Sequence, residues 1–372
     1  MSLQVIARLL LVGIALSLVP LLKLPTFYES LLYLIFHWVV LAVSWNILSG
    51  YSGYFSFGHG AFYGLGVYTT AVLAGKWDWP FLATLPFAAL VAAVFGVALG
   101  AVVFRVKRLR GELFALLTLA ITFVVAMVIL NTPIDGGPGI YLSNVAVPDW
   151  YGTPSSSFYL LALVLAVFTL CVAYAIHAGK LGLGLFAIHD DEDVAEVQGV
   201  QTYRYKLIAL GISCALAGLA GGIQALFVSY VTVGEIFNMV VPLFVMLMSV
   251  LGGVRHWAGP AVGAVFIVRT FLVQPFLVSG SSMVPNFENG DYVLVDELSS
   301  GRAHGRGPCD AAAPGSADHL FRQLFRHERV ARLSYRELLR RGSLRGYFQR
   351  GHFLQRRRRC LPPRRSREGR GM

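Results

Sequence analysis

Charged side chains are scarce in this chain. Asp, Glu, Lys and Arg supply 14% of its 372 residues, against 56% for the hydrophobic types. With a mean hydropathy of +0.63, that composition excludes an ordinary soluble domain and points to a protein that crosses a membrane several times. Cysteine is also sparse. Cys171, Cys214, Cys309 and Cys360 show no paired spacing, and two of them sit in apolar runs. That leaves no disulfide framework and no metal-ligand pattern. No G-x-x-x-x-G-K-[ST] phosphate loop occurs, so the chain is not expected to hydrolyse ATP itself. Lysine disappears altogether after Lys206.

What charge there is falls unevenly. Residues 1–280 hold 12 Lys and Arg against 11 Asp and Glu, whereas residues 281–372 hold 19 against 9. The overall net charge of +11 is therefore carried by the last quarter, which is basic through arginine alone. Two chemically different segments share one chain.

A membrane-crossing helix needs roughly 20 mainly apolar residues. Runs that qualify or come close lie near 4–22, 28–49, 57–75, 81–104, 112–131, 157–177, 207–228, 237–252 and 258–278. The first continues past Leu18-Val19-Pro20-Leu21 without a small-residue cleavage site, so it is expected to be retained. Backbone polar groups in hydrocarbon must be satisfied within the segment, which makes these spans helices. The short eighth run leaves a half-helix or a re-entrant piece open. Cations gather at Arg105, Lys107, Arg108 and Arg110, at Lys180, Arg204 and Lys206, and at Arg255. The bias of Lys and Arg toward cytoplasmic loops then puts the N-terminus and these clusters inside. Residues 131–156 and the stretch around Glu235 fall outside, and with nine spans so does everything after about 278. Lone Lys23 and Lys76 run against the trend.

Two stretches stand out from this apolar background. Phe186 to Lys206 packs Asp190, Asp191, Glu192, Asp193 and Glu196 into seven residues and closes with Arg204 and Lys206. Flanked by spans, it must sit in water, as a plain solvated loop or as a docking element. Gly50 to Tyr68 interleaves glycines with aromatics, a pattern that allows close helix approach or a broken helix. Its His59 reads either as a functional group in an apolar setting or as a neutral histidine held by a neighbouring carbonyl.

Asp193-Val194-Ala195 followed by Gly199 resembles the EAA-x-x-x-G signature of ABC importer permeases. Asn46 to Thr69 (NILSGYSGYFSFGHGAFYGLGVYT) resembles the glycine-rich region of the branched-chain amino acid ABC permeases of the LivM type. Arg108 to Ala120, Asp135 to Ile140, Leu216 to Gly222, Leu251 to Val254 and Gly259 to Ala264 follow the same family's motifs in order. The resemblance covers about residues 28 to 265. It implies an all-α polytopic membrane protein of about 8–9 helices in the bacterial inner membrane. It also implies partnership with a second permease subunit, two cytoplasmic ATPases that use ATP, and an external solute-binding protein. No cofactor is expected in the chain itself, and no nucleic acid. Asp193, Ala195, Glu196 and Gly199 would form the ATPase-coupling loop. Branched-chain amino acids would be the cargo, with related small polar solutes as the variant. Asn46, Ser56, His59 and Gln224 are candidates for the translocation path, or else partners in interhelical hydrogen bonds.

After about Val265 the pattern changes. Ser279-Gly280-Ser281-Ser282-Met283-Val284-Pro285 and Gly290-Asp291-Tyr292-Val293-Leu294-Val295 resemble the type I signal peptidases: an anchor helix, a serine box and a short strand. The resemblance makes Ser282 the nucleophile and calls for a lysine as its base. None follows, and a serine hydroxyl without a base is a weak nucleophile. An inactive peptidase fragment is therefore the alternative reading, and a plain turn serine the simplest one for Ser282. Beyond Ser299 the sequence is dominated by Arg, Gly and Pro and reads as a disordered tail. Three regions result: a permease domain at 1–265, a peptidase-like piece at 266–299 and a basic tail at 300–372. Two abrupt changes of pattern in one chain suggest a chimera whose end continues in a shifted reading frame.

Overall fold

A computed structural model of the protein describes residues 3–22, 26–106, 111–134, 137–142, 145–147, 150, 153–277 and 292–296. All belong to the compact unit Met1–His304. Ser282, the serine box around it, most of the cationic run Arg105–Arg110 and the arginine-rich tail lie outside the described residues.

Twelve α-helices are described: α1 (Leu3–Ser17), α2 (Thr26–Ser52), α3 (His59–Gly75), α4 (Phe81–Val103), α5 (Glu112–Leu130), α6 (Pro154–His177), α7 (Lys180–Asp190), α8 (Glu192–Val197), α9 (Thr202–Val228), α10 (Val233–Ile236), α11 (Val240–Gly252) and α12 (Gly259–Ile267). Among the described residues, seven stretches are helical, long and apolar enough to cross a membrane: Gln4–Leu21, α2, α4, Leu113–Leu130, α6, α9 and Val233–Gly252. The remaining two expected spans are shorter. The run at 57–75 is the 17-residue α3. The run at 258–278 is helical only through α12, then passes through a π-turn at Val268–Leu272 into strand β3 (Val273–Leu277). Pro275 explains part of that change, because proline has no N–H to continue a helix. β3 pairs antiparallel with β4 (Tyr292–Asp296), Val273 opposite Asp296. The strand expected from the signal-peptidase resemblance is thus present, while residues 273–277 of the expected anchor helix are strand instead of helix.

Two 27-residue helices, α2 and α9, form the core. At about 1.5 Å per residue each is roughly 40 Å long. From His37 to Ser52 every residue of α2 is buried, as expected for a helix apolar on all sides. It packs against α6, α9, α11 and α12, while α9 also packs against α3 and α4. Where α4 meets α9, its buried face runs Thr84, Ala88, Ala92, Gly96, Gly100. A small residue every fourth position lines one face of a helix and lets backbones approach, which is how helices associate in lipid. Cys214 of α9 fits over Gly96, where an added Cβ would meet its Sγ at 2.3 Å. Crossing hydrogen bonds add to the packing: Ser213 Oγ donates to Ser44 O at 2.7 Å and Ser249 Oγ to Ala42 O at 3.0 Å.

The connecting segments separate to two ends as the charge bias requires. At one end β1 (Ile140–Tyr141) pairs with β2 (Tyr230–Val231), and Tyr230 hydroxyl donates to Pro138 O. Both belong to segments expected outside. Lys76 joins them, its ammonium donating to Pro133 O and Ile134 O at 2.7 and 2.6 Å. Lys76 remains an exception to the orientation rule, with its ammonium hydrogen-bonded to carbonyls of the outer loop. At the other end, Arg255 reaches Asp190 at 3.1 Å, joining two segments expected inside.

Candidate functional site

The glycine–aromatic stretch forms a re-entrant connection. α2 ends at Ser52, residues 53–56 are non-helical, and α3 starts at His59. His59 Nε2 lies 3.0 Å from Ser44 Oγ, about two helical turns before the end of α2. The chain therefore climbs back into the bundle before α3 begins, which is why α3 is short. Non-helical backbone at that depth needs partners within the protein, and it has them. Trp45 Nε1 donates to Ser56 O at 2.7 Å, Ser56 N donates to Ser49 Oγ at 3.3 Å, and Phe57 N donates to Thr118 Oγ1 at 3.1 Å.

Of the four translocation-path candidates, Ser56 and His59 meet at this re-entrant segment, and Asn46 lies on the stretch of α2 beside it. Ser56 and Asn46 are buried, and neither Ser56 Oγ nor Asn46 Oδ1 has a hydrogen-bond partner, although Asn46 Nδ2 donates to Val254 O at 3.0 Å. Gln224 stands apart. Its Oε1 accepts from Tyr33 hydroxyl at 2.6 Å, toward the outer half of α2.

The acidic stretch is mostly helix. α7 ends at Asp190, and Asp191 caps α8, its carboxylate accepting from Asp193 N at 2.9 Å and Val194 N at 3.1 Å. A capping carboxylate at a helix start is the expected use of such a residue. At the other end Gly199 adopts φ +88°. Gly199 N donates to Glu196 O, and Val200 N to Ala195 O, each at 3.0 Å. That pair of bonds is a Schellman termination, which requires a left-handed residue. Gly199 is thus fixed by backbone geometry, with nothing within 4 Å of where its Cβ would be.

Ala195 is only 2% exposed and faces the membrane bundle, whereas Val197 is 89% and Val194 50% exposed. Two valines three residues apart share one outward face of α8. The residue pattern alone did not single them out.

Nor did it single out the joint beneath them. Lys206 Nζ reaches Glu192 Oε1 at 2.6 Å, with side chains only 4% and 11% exposed. Tyr54 hydroxyl hydrogen-bonds to Glu192 Oε2 and accepts from Lys206 Nζ at 3.2 Å. The same ammonium lies 4.7 Å from the Tyr54 ring centre and 5.1 Å from that of Phe104, within cation–π range. Acid and base stand 14 positions apart and the tyrosine 138 before the acid, so no local spacing announces the cluster.

A model of the family described as branched-chain amino acid transport system / permease component matches residues 27–281. The chain belongs to this family. Among its relatives, the high-affinity branched-chain amino acid transport system permease protein LivM of Escherichia coli (strain K12) is 32% identical over 279 residues, 66% of this chain and 65% of the relative. The LivM protein of Salmonella typhimurium is likewise 32% identical, over 280 residues. A probable branched-chain amino acid transport permease protein LivH of Methanocaldococcus jannaschii is 26% identical over 126 residues, 33% of this chain and 37% of the relative. The chain spans 65% of the length of the two LivM relatives. A second model, signal peptidase, peptidase S26, matches residues 253–329. Two family patterns therefore meet in one chain, and the second runs past Ser299, where the recognisable peptidase motifs end. No solved structure matches.

Proposed function

We propose that this chain is a membrane-spanning subunit of an ABC importer that carries branched-chain amino acids, or a related small polar solute, across the bacterial inner membrane. It would pair with a second permease subunit. Two cytoplasmic ATPases would supply the energy, and an external solute-binding protein would deliver the cargo. The family match over residues 27–281 carries this reading. The geometry of α8 supports it: a capped helix at the inner end of the bundle, turned outward by two exposed valines and ringed by Asp193 and Glu196. An apolar pair inside an acidic rim suits insertion into a groove with basic edges. Contact with the ATPase then falls to Val194, Val197, Asp193 and Glu196, while Ala195 seats the helix and Gly199 ends it.

Asn46 Oδ1 and Ser56 Oγ are the candidate path groups that favour a polar cargo, since each is buried without a partner. The peptidase-like segment supplies the alternative activity, a serine endopeptidase built on Ser282. Against it stands the absence of any lysine after Lys206, so that segment is proposed to be inactive.

The test is co-purification of the ATPases with the full chain and its partner permease. Wild type should retain them, and Val197→Asp, which charges the outward face without touching the fold, should lose them. Retention by Val197→Asp would remove α8 as the docking element. Absence of ATPase from the wild-type complex would remove the importer reading.

A further inference from the structure

We propose that Glu192, Lys206 and Tyr54 form the joint through which displacement of α8 moves the re-entrant segment 53–58 and α3. This inference rests on the importer reading and deepens it by naming the positioning residues that transmit the ATPase stroke.

Three observations carry it. The first is placement. Glu192 is the first residue of α8, Lys206 belongs to the first turns of α9, and Tyr54 belongs to the non-helical stretch between α2 and α3. The cluster thus ties the docking helix to a core helix and to the non-helical backbone segment that climbs back into the bundle. The second is the strength of the tie. The carboxylate, the ammonium and the phenol each touch the other two, and the charges are nearly excluded from solvent. Charge-assisted hydrogen bonds away from water are stronger than exposed ones, and separating such a pair leaves an uncompensated buried charge. Displacing α8 therefore either drags Tyr54 with it or ruptures the cluster. The third is close packing on the same segment. An added Cβ on Gly53 would meet His189 Nδ1, in the last turn of α7, at 2.8 Å. The residue next to Tyr54 therefore lies against α7, with no room for a side chain between them.

The Arg255–Asp190 link from the acidic stretch is weaker. The Arg255–Asp190 pair is 71% and 69% exposed, and exposed pairs of that kind contribute little. From Tyr54 the route inward is short. Two residues on, Ser56 O and Ser56 N are bound to Trp45 and Ser49 of α2, and five residues on, His59 opens α3 against Ser44. Motion of Tyr54 is delivered to the place where Ser56 Oγ stands unpartnered.

The experiment uses the complete complex, full chain with partner permease, ATPases and solute-binding protein, in proteoliposomes loaded with ATP. Leucine uptake and ATP hydrolysis are measured together, and ATPase retention separately. Glu192→Gln and Tyr54→Phe should keep the ATPases bound and hydrolysing. Leucine moved per ATP should fall about tenfold, the ratio equivalent to losing one charge-assisted hydrogen bond. Tyr54→Phe keeps the ion pair and the ring beneath the ammonium, so it carries the test if Glu192→Gln does not assemble. An unchanged leucine-to-ATP ratio in Tyr54→Phe overturns the joint and leaves the importer reading intact. A wild-type complex that retains no ATPase and takes up no leucine overturns both.

Discussion

Gly66 of α3 lies so close to Gly218 of α9 that a Cβ on Gly66 would stand 2.2 Å from the Gly218 carbonyl oxygen. On the other face of the same position, a Cβ on Gly218 would meet Ala92 Cβ of α4 at 2.6 Å. α9 is therefore squeezed between α3 and α4 at one level, and on the α3 side backbone meets backbone. Backbone does not yield as a flexible side chain does. Gly66→Leu should force the helices apart and cost on the order of 1–3 kcal/mol or more, the range for overpacking. A drop in thermal stability of the detergent-solubilised protein would report it. Gly234→Ala, with nothing within 4 Å of the added atom, should leave the melting point unchanged.

Gly199 obeys a different rule. Its φ of +88° and its two terminating hydrogen bonds demand a left-handed conformation that costs an L-residue roughly 1–2 kcal/mol. Gly199→Ala should fray the end of α8 and weaken ATPase retention moderately. Gly199→Asn, which tolerates that region better, should fall between alanine and wild type. Equal loss in the two variants would show that the position acts through contact with the ATPase and not through backbone shape.

Much of this architecture is legible in the sequence, and the parts that are not share a cause. Long apolar runs announce their own helices because length and hydropathy are local properties, and the cation clusters sort the connecting segments into two sets. The pairing of Ile140 with Val231 and the reach of Arg255 to Asp190 agree with that sorting. The ladder Thr84, Ala88, Ala92, Gly96, Gly100 was also there to be read, since its period of four is written in the sequence. Reading glycine alone misses it, because alanine and threonine share the work. The Tyr54–Glu192–Lys206 cluster is different. Its members look like loop charges and one more aromatic until α8 folds back under the bundle, and only the tertiary fold removes their water. The same holds for Ala195 and Val197, two positions apart in a six-residue helix with opposite exposures. The expected helix at 258–278 is cut short, and a proline at 275 accounts for part of that.

Burial makes the Glu192–Lys206 pair an all-or-none element. Lys206→Met removes the cation and leaves the Glu192 carboxylate, 11% exposed, without its ammonium though still bonded to the Tyr54 hydroxyl, so it should destabilise the protein by up to about 3–5 kcal/mol. Replacing both, Lys206→Met with Glu192→Leu, removes the stranded charge and should recover most of that loss, because an apolar pair of similar volume is often tolerated as well as a buried ion pair. Thermal unfolding of the two single variants and the double variant gives the coupling directly. Additive losses would mean that solvent reaches the pair. The double variant should still transport poorly, because stability would be restored without the hydrogen bond to Tyr54.

Ser56 allows stability and transport to be separated at one atom. Its backbone is held on both sides, by Trp45 and by Ser49, while its hydroxyl is buried with no partner. A buried polar group without a partner carries a desolvation penalty of about 1–3 kcal/mol and returns nothing to the fold. Ser56→Ala should therefore match or slightly exceed wild type in thermal stability. Ser44→Ala is the contrast, since its hydroxyl donates to Leu41 O and contacts His59, and it should destabilise by about 1 kcal/mol. If the Ser56 hydroxyl serves the cargo, Ser56→Ala should reduce leucine uptake while ATPase retention and melting point hold. An uptake equal to wild type in a protein of equal stability would remove Ser56 from the translocation path and leave Asn46 as the remaining unpartnered candidate beside the re-entrant segment.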